Sequence, residues 1–194
     1  MKLSLELAYQ TPQSWATQVM NDFSYFLQDH ADCERKASSM ALSFVAKCPD
    51  KIEIIPELIE TALEELEHFQ QVYKIMQKRG IRLRSEMPKD QYILQLIEKC
   101  RSGKNDRLLD RMLVASIVEC RGAERFKLIA DELIDLDLKD FYKTLWISEA
   151  KHGNIFVKFA LNYWNKTEVY KRLDELNNLE ADICSKMEWT PRLH

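Results

Sequence analysis

Apolar residues recur every three or four positions along most of the chain, which is the period of an amphipathic helix. No strand-like alternation competes with it. Thr11-Pro12 reads as an N-cap followed by proline at the first helical position, opening a short helix over about 12 to 20. Asn21-Asp22 restarts the chain, and Phe23, Phe26, Leu27, His30, Glu34, Ala37, Ala41 and Phe44 then form one face to about 47, ended by Cys48-Pro49-Asp50. A second long helix is predicted over about 51 to 79, on Leu58, Ala62, Glu65, Phe69, Val72 and Met76, with Pro56 moving its start later and Arg79-Gly80 as its C-terminal cap. The stretch 81 to 105 is a long connection holding a short amphipathic helix, about 89 to 101, on Tyr92, Leu94 and Ile97. A third long helix follows over about 106 to 134. A fourth runs over about 138 to 164, with Leu138, Phe141, Leu145, Glu149, His152, Phe156 and Tyr163 in register. A last helix spans about 167 to 187 behind Thr167 as N-cap, and the tail EWTPRLH is read as irregular.

Composition narrows the class. The chain has 194 residues, enough for one domain with a substantial core, read as 1–194 with the long helices at about 22–164. Only 4 glycines and 5 prolines interrupt it, which favours long helices. The net charge of -3 excludes a generic polyanion binder but leaves room for a local basic patch. The cysteines, Cys33, Cys48, Cys100, Cys120 and Cys184, are odd in number and form no CxxC, so neither a disulfide framework nor a zinc site is expected. That usage, no apolar leader in MKLSLELAYQTPQSW and no membrane-length apolar run point to a protein of the reducing cytoplasm.

The polar residues that interrupt the apolar faces carry the chemistry. Residues 64 to 68 read EELEH and 148 to 152 read SEAKH, so Glu65 with His68 and Glu149 with His152 repeat one Glu-x-x-His spacing. Residues three apart share a helix face, so each pair aims one oxygen and one nitrogen ligand at the same point. A buried ionised carboxylate is costly unless it is paired or bound to a cation. Upstream, Glu34 lies 31 residues before Glu65, and Glu119 lies 30 before Glu149. The two halves repeat as Glu34, Glu65, His68 and Glu119, Glu149, His152. One glutamate from each of two helices, and Glu-x-x-His from the other two, is the ligand pattern of ferritin-like dimetal carboxylate bundles. A long crossover between the second and third helices is their topology. The expected fold is thus all-α: a ferritin-like four-helix bundle with a long second-to-third helix connection and extra short N-terminal and C-terminal helices. The donor set suits iron or manganese, and iron for oxygen chemistry.

Several side readings stay open. Glu124, on a partly apolar face with Ile117, Cys120 and Leu128, rivals Glu119, although its interval to Glu149 breaks the repeat. Glu64 and Glu67 are assigned to the solvent side. His30, one turn before Glu34, is either a core histidine or a partner of that glutamate. Gly122 either leaves space beside a metal or lets helices approach. Cys33 and Cys120 are read as small buried thiols, and Tyr25, Tyr73, Tyr142 and Trp146 as core or rim packing. Asp29, Asp32 and Asp131 are conceivable acceptors for the histidines' second ring nitrogens.

The local sequences DHADCERKAS (29 to 38), ALEELEHFQQVYKIMQKRGI (62 to 81), SIVECRGAERFKLIA (116 to 130) and FYKTLWISEAKHGNIFVKFA (141 to 160) together resemble the tRNA 2-methylthio-N6-isopentenyladenosine hydroxylase family, MiaE. The Cys-Arg-Gly-Ala run after Glu119 departs from that family's more usual Ala-Arg-Ser-Cys type. The resemblance implies a ferritin-like, non-haem di-iron monooxygenase that hydroxylates the isopentenyl group of a hypermodified adenosine beside the tRNA anticodon. It implies Glu34, Glu65, His68, Glu119, Glu149 and His152 as ligands and catalytic centre, two iron ions as cofactor and dioxygen as co-substrate. Its partners would be tRNA and an electron-donating reductase, with no membrane. Two basic clusters could meet RNA phosphates: Lys78, Arg79, Arg82 and Arg84, and Lys99, Arg101, Lys104 and Arg107, with Tyr92 the nearest aromatic. The alternatives are a ferritin-like di-iron oxidase with another substrate and an iron-binding or storage protein.

Overall fold

The structure is a computed structural model and describes residues 5–194. Its helices, in chain order, are α1 (Gln13–Asn21), α2 (Phe23–Lys47), α3 (Ile55–Lys78), α4 (Gln91–Glu98), α5 (Lys104–Glu132), α6 (Leu136–Leu161) and α7 (Lys166–Lys186). Among the described residues there is no strand. The long elements fall where the apolar period places them. Pro56 in the first turn fixes the later start of α3, where its missing N–H is harmless.

Local caps differ from the sequence reading in two places. Thr11 does not serve α1: its backbone N–H and hydroxyl both donate to the Glu124 carboxylate, at 2.7 and 2.6 Å. Asn165, rather than Thr167, caps α7 by accepting from the Glu168 N–H at 2.9 Å, because the helix begins one residue earlier, at Lys166. Asp22 and Asp90 cap α2 and α4 in the same way. On α4 the buried pair is Tyr92 and Leu96, one turn apart, whereas Leu94 is exposed.

The chain divides into two compact units. One comprises Asn21–Pro88 and Pro191–Leu193 and is built on the α2–α3 hairpin. The Ser38 hydroxyl crosses this hairpin and donates to the Ala62 carbonyl at 2.8 Å. The buried Asp29 carboxylate ties down the end of the chain, accepting from Arg192 Nε at 2.7 Å and the Leu193 N–H at 2.8 Å.

The other unit takes in the chain up to Met20, Lys89–Thr190 and His194. It is built on the α5–α6 hairpin, with α7 against both helices and α4 against α5 and α7. Only Leu133, Ile134 and Asp135 join α5 to α6, so the two must run antiparallel side by side. A serine laces this hairpin too: Ser116 Oγ donates to the Gly153 carbonyl at 2.7 Å. Gly153 is required there, since a Cβ would stand 2.6 Å from Cys120 Sγ and 3.3 Å from the Ser116 carbonyl oxygen.

The opposite face of α5 carries two fully buried arginines. Arg121 binds Glu180 of α7 through Nε at 2.8 Å and Nη2 at 3.0 Å, Glu124 through Nη1 at 2.5 Å, and the Tyr9 carbonyl at 2.9 Å. The Tyr92 hydroxyl donates to the same Glu180 at 3.0 Å. Arg125 lies between the Trp15 and Trp189 rings, 5.2 and 5.3 Å from their centroids. Burial alone would depress the Arg121 pKa, but its hydrogen bonds to the Glu180 carboxylate raise it. Arg125, buried beside Arg121, is lowered. The buried Asp110 is likewise clasped, by Arg101 at 2.8 Å and by Arg172 of α7 at 2.8 Å.

Candidate metal centre

Within the first unit, Glu34 on α2 and Glu65 and His68 on α3 are all buried. Each offers a ligand atom within 4.8 Å of the others. His68 Nδ1 stands 3.5 Å from Glu65 Oε2 and 3.6 Å from Glu34 Oε2. These separations exceed a hydrogen bond. Donors about 2 Å from one first-row metal ion stand about 3–3.5 Å apart, so the trio has the spacing of a ligand set. His30 Nε2 lies 2.6 Å from Glu34 Oε1 with its ring fully buried, so the histidine is a partner of that glutamate and a core residue at once.

Within the second unit the arrangement recurs. Glu119 on α5 and Glu149 and His152 on α6 are buried and again offer ligand atoms within 4.8 Å of one another. His152 Nδ1 is 3.6 Å from Glu149 Oε2, matching His68 and Glu65. Glu124 points elsewhere, its carboxylate taken by Thr11 and Arg121. A Cβ on Gly122 would meet only Glu149 Cγ, at 4.0 Å, so this glycine leaves room beside the glutamate and is not a close-packing residue. Cys120 is buried, and burial with the neighbouring Glu119 charge pushes its thiol up to about 12, the mark of an inert thiol.

The remaining candidates lie apart from these trios. Glu67 is exposed and Glu64 half-buried. Asp29 holds the C-terminal residues, Asp32 pairs with Arg35 and Lys36, and Asp131 is exposed. Arg101 is committed to Asp110. Sequence reasoning passed over Ser38, one turn after Glu34, and Ser116, one turn before Glu119. A mid-helix serine ordinarily bonds its own preceding turn, so nothing in the chain marks these two as lacing residues.

Each trio is a buried mix of two carboxylates and one imidazole. That donor set fits a first-row transition metal and fits no catalytic nucleophile or phosphate cradle. A solved structure, Protein 43 with aldehyde deformylating oxygenase activity from Synechococcus, matches with a TM-score of 0.91 and 32% identity. The match covers 97% of this chain and 94% of that one. The fold is all-α and of the ferritin-like class, whose members hold metal pairs with such carboxylate and imidazole sets.

The family model for tRNA-(MS[2]IO[6]A)-hydroxylase (MiaE) matches residues 2–194, and the chain belongs to that family. Two curated relatives carry the name tRNA 2-(methylsulfanyl)-N(6)-isopentenyladenosine(37) hydroxylase. The one from Pseudomonas putida is 32% identical over 95% of this chain and 89% of its own length. The one from Salmonella typhimurium is 25% identical over 95% of this chain and 85% of its own. Among the described residues no helix is long and apolar enough to cross a membrane.

Proposed function

We propose that this protein is a non-haem di-iron monooxygenase that hydroxylates the isopentenyl group of 2-methylthio-N6-isopentenyladenosine in tRNA. One observation carries the reading beyond family membership: each hairpin presents two buried carboxylates and one imidazole at ligand spacing. Glu34, Glu65 and His68 would hold one iron and Glu119, Glu149 and His152 the other, in one ferritin-like domain of a cytoplasmic enzyme. Iron, when bound, supplies the oxygen activation, with dioxygen as co-substrate and two electrons from a separate reductase. The balance is one C–H bond of the side chain, dioxygen, two electrons and two protons, giving an alcohol and water.

The chain's own residues prepare that chemistry. Four carboxylates offset the charge of two ferrous ions. The His30 ring, fixed on Glu34 at 2.6 Å, orients that carboxylate before metal arrives. Ser38 and Ser116 hold each pair of helices in register within a turn of Glu34 and Glu119, which keeps the donors preorganised. The room at Gly122 leaves space beside Glu149 for a small co-substrate.

The test is mass spectrometry of nucleosides from tRNA bearing the 2-methylthio-isopentenyl group, after treatment with iron-loaded protein, a reductant and labelled dioxygen. One labelled oxygen on the isopentenyl group is expected. Two irons per chain with no product would refute the substrate. Glu65→Ala and His152→Ala should each lose iron while keeping helix content, and full iron in both would refute the ligand assignment. One specific observation favours a second reading. The Synechococcus protein with aldehyde deformylating oxygenase activity is as similar, at 32% identity, as the Pseudomonas relative. An aldehyde is therefore the alternative substrate to assay in the same sample.

A further inference from the structure

Both basic clusters of the sequence keep cations at the surface, Lys99, Lys104 and Arg107 in one and Lys78, Arg79, Arg82 and Arg84 in the other. Arg101 spends its guanidinium on the buried Asp110, and α4 turns Tyr92 into the core against Glu180. The α2–α3 unit is different. A cleft of ≈ 330 Å³ opens there between α2, α3 and the stretch 83–87, lined among others by Arg35, Lys36, Arg84, Asp32, Phe69 and Met87. That volume sits at the small end of ligand sites, about 300–1,000 Å³. Three cations face it against one lining carboxylate, on a chain whose net charge is -3. Arg35 and Lys36 both pair with the Asp32 carboxylate, at 2.6 and 2.5 Å, and with Arg84 they leave the cleft a net positive charge.

Aromatic rings interleave with these charges. Arg84 lies 5.2 Å from the Tyr25 ring centroid and Arg79 lies 5.8 Å from that of Phe23. Phe69, half-exposed in the cleft, stacks on Tyr73 with centroids 6.2 Å apart and planes 16° from parallel. A guanidinium over a ring keeps its N–H fork for a phosphate. A half-exposed ring offers a face on which an unpaired base can stack. The cleft also adjoins the metal ligands in sequence: Arg35 follows Glu34 and Phe69 follows His68. One residue is about 100° of helical rotation, so both side chains leave their helices beside the ligand face and not on it.

We infer that this cleft seats an unpaired nucleotide of the RNA, its base against Phe69 and its phosphates on Arg35, Lys36 and Arg84. The inference rests on the proposed tRNA substrate and says which face of the protein meets it. It deepens the two-cluster reading by dismissing Arg101 and recruiting Arg35 and Lys36, which sit on α2 far in sequence from the connection.

The probe is a fluorescein-labelled anticodon stem-loop RNA carrying the modified adenosine, titrated against iron-loaded protein by anisotropy over a salt series. Arg84→Glu, exposed and outside any helix, should weaken binding roughly five- to twentyfold. Arg84→Gln should weaken it less and lower the salt slope by about 0.7, the loss of one single-strand phosphate contact. Phe69→Leu should weaken binding about fivefold or more with the salt slope unchanged, a signature that a general loss of charge would not give. Lys171→Glu, on the exposed side of α7, is the control. Wild-type affinity in the Arg84 and Phe69 variants, or an equal loss in Lys171→Glu, overturns the placement while the substrate reading stands. A wild-type protein that does not bind the stem-loop at low salt overturns both. Tight binding to anionic lipid vesicles, lost in the same variants and without RNA binding, would reassign the face to a membrane.

Discussion

Replacing Arg121 by methionine should be among the most damaging single changes in this chain away from the proposed metal ligands. The guanidinium is fully buried and makes five polar contacts: two to Glu180, and one each to Glu124, Thr11 and the Tyr9 carbonyl. Removing one partner of a buried ion pair typically costs about 3–5 kcal/mol, because the other charge stays buried. The structure ranks the partners. Without Arg121, Glu180 keeps only the neutral donors Tyr92 and Cys184, and Glu124 loses its cation as well. Without Glu180, Arg121 still has Glu124 and a backbone carbonyl. Arg121→Met should therefore destabilise by about 4–5 kcal/mol and Glu180→Leu by about 3 kcal/mol. The double variant should fall short of their sum by about 2 kcal/mol, since it no longer leaves Glu180 buried without its cation. At about 2–4 °C per kcal/mol for a chain of this size, Arg121→Met lowers Tm by roughly 8–20 °C. Urea unfolding followed by circular dichroism measures all three. A loss below about 1 kcal/mol for Arg121→Met, or strict additivity in the double variant, would show that the network is not energetically coupled.

Further outcomes follow from the same geometry. Gly153→Ala forces a Cβ to 2.6 Å from Cys120 Sγ and should cost about 1–3 kcal/mol, part of it recovered by adding Cys120→Ala; thermal melts check both. Gly122→Ala meets nothing closer than 4.0 Å and gains helix propensity, so an unchanged or slightly higher Tm is expected, and a clear drop would contradict the open space beside Glu149. For Asp110, burial would raise the carboxyl pKa, but Arg172 and Arg101 hold it below 3.8. A depressed folded pKa contributes stability that is present above the unfolded value of 3.8 and is lost as pH falls through the lower folded value. Asp110→Asn should thus destabilise at neutral pH, with the gap to wild type closing below about pH 4 in urea titrations across pH.

The order of elements and the spacing of the candidate ligands were legible in the chain, because a helix converts sequence interval directly into facing direction. Glu34, Glu65, His68, Glu119, Glu149 and His152 interrupt apolar faces at helical steps, and nothing beyond the period is needed to find them. What the period cannot express is a contact between elements far apart in sequence. Thr11 carries good local capping chemistry, yet it is drawn to Glu124, a distant neighbour that outbids a local bond of about 1 kcal/mol, whereas the cap of α7 stays local and moves from Thr167 to Asn165 because the helix begins one residue earlier. Arg121 and Arg125 look like surface charges on α5 until α4, α7 and the aromatic rings of Trp15 and Trp189 close over them. The same holds for the residues proposed to face RNA. Arg35 and Lys36 are ordinary helix charges in sequence, and only the fold brings Arg84 and Phe69 to the same cleft. Sequence fixed the chemistry within each helix, through its period; tertiary structure decided which charges are buried and which surface is basic, since both depend on what lies across from a residue and not on what lies beside it.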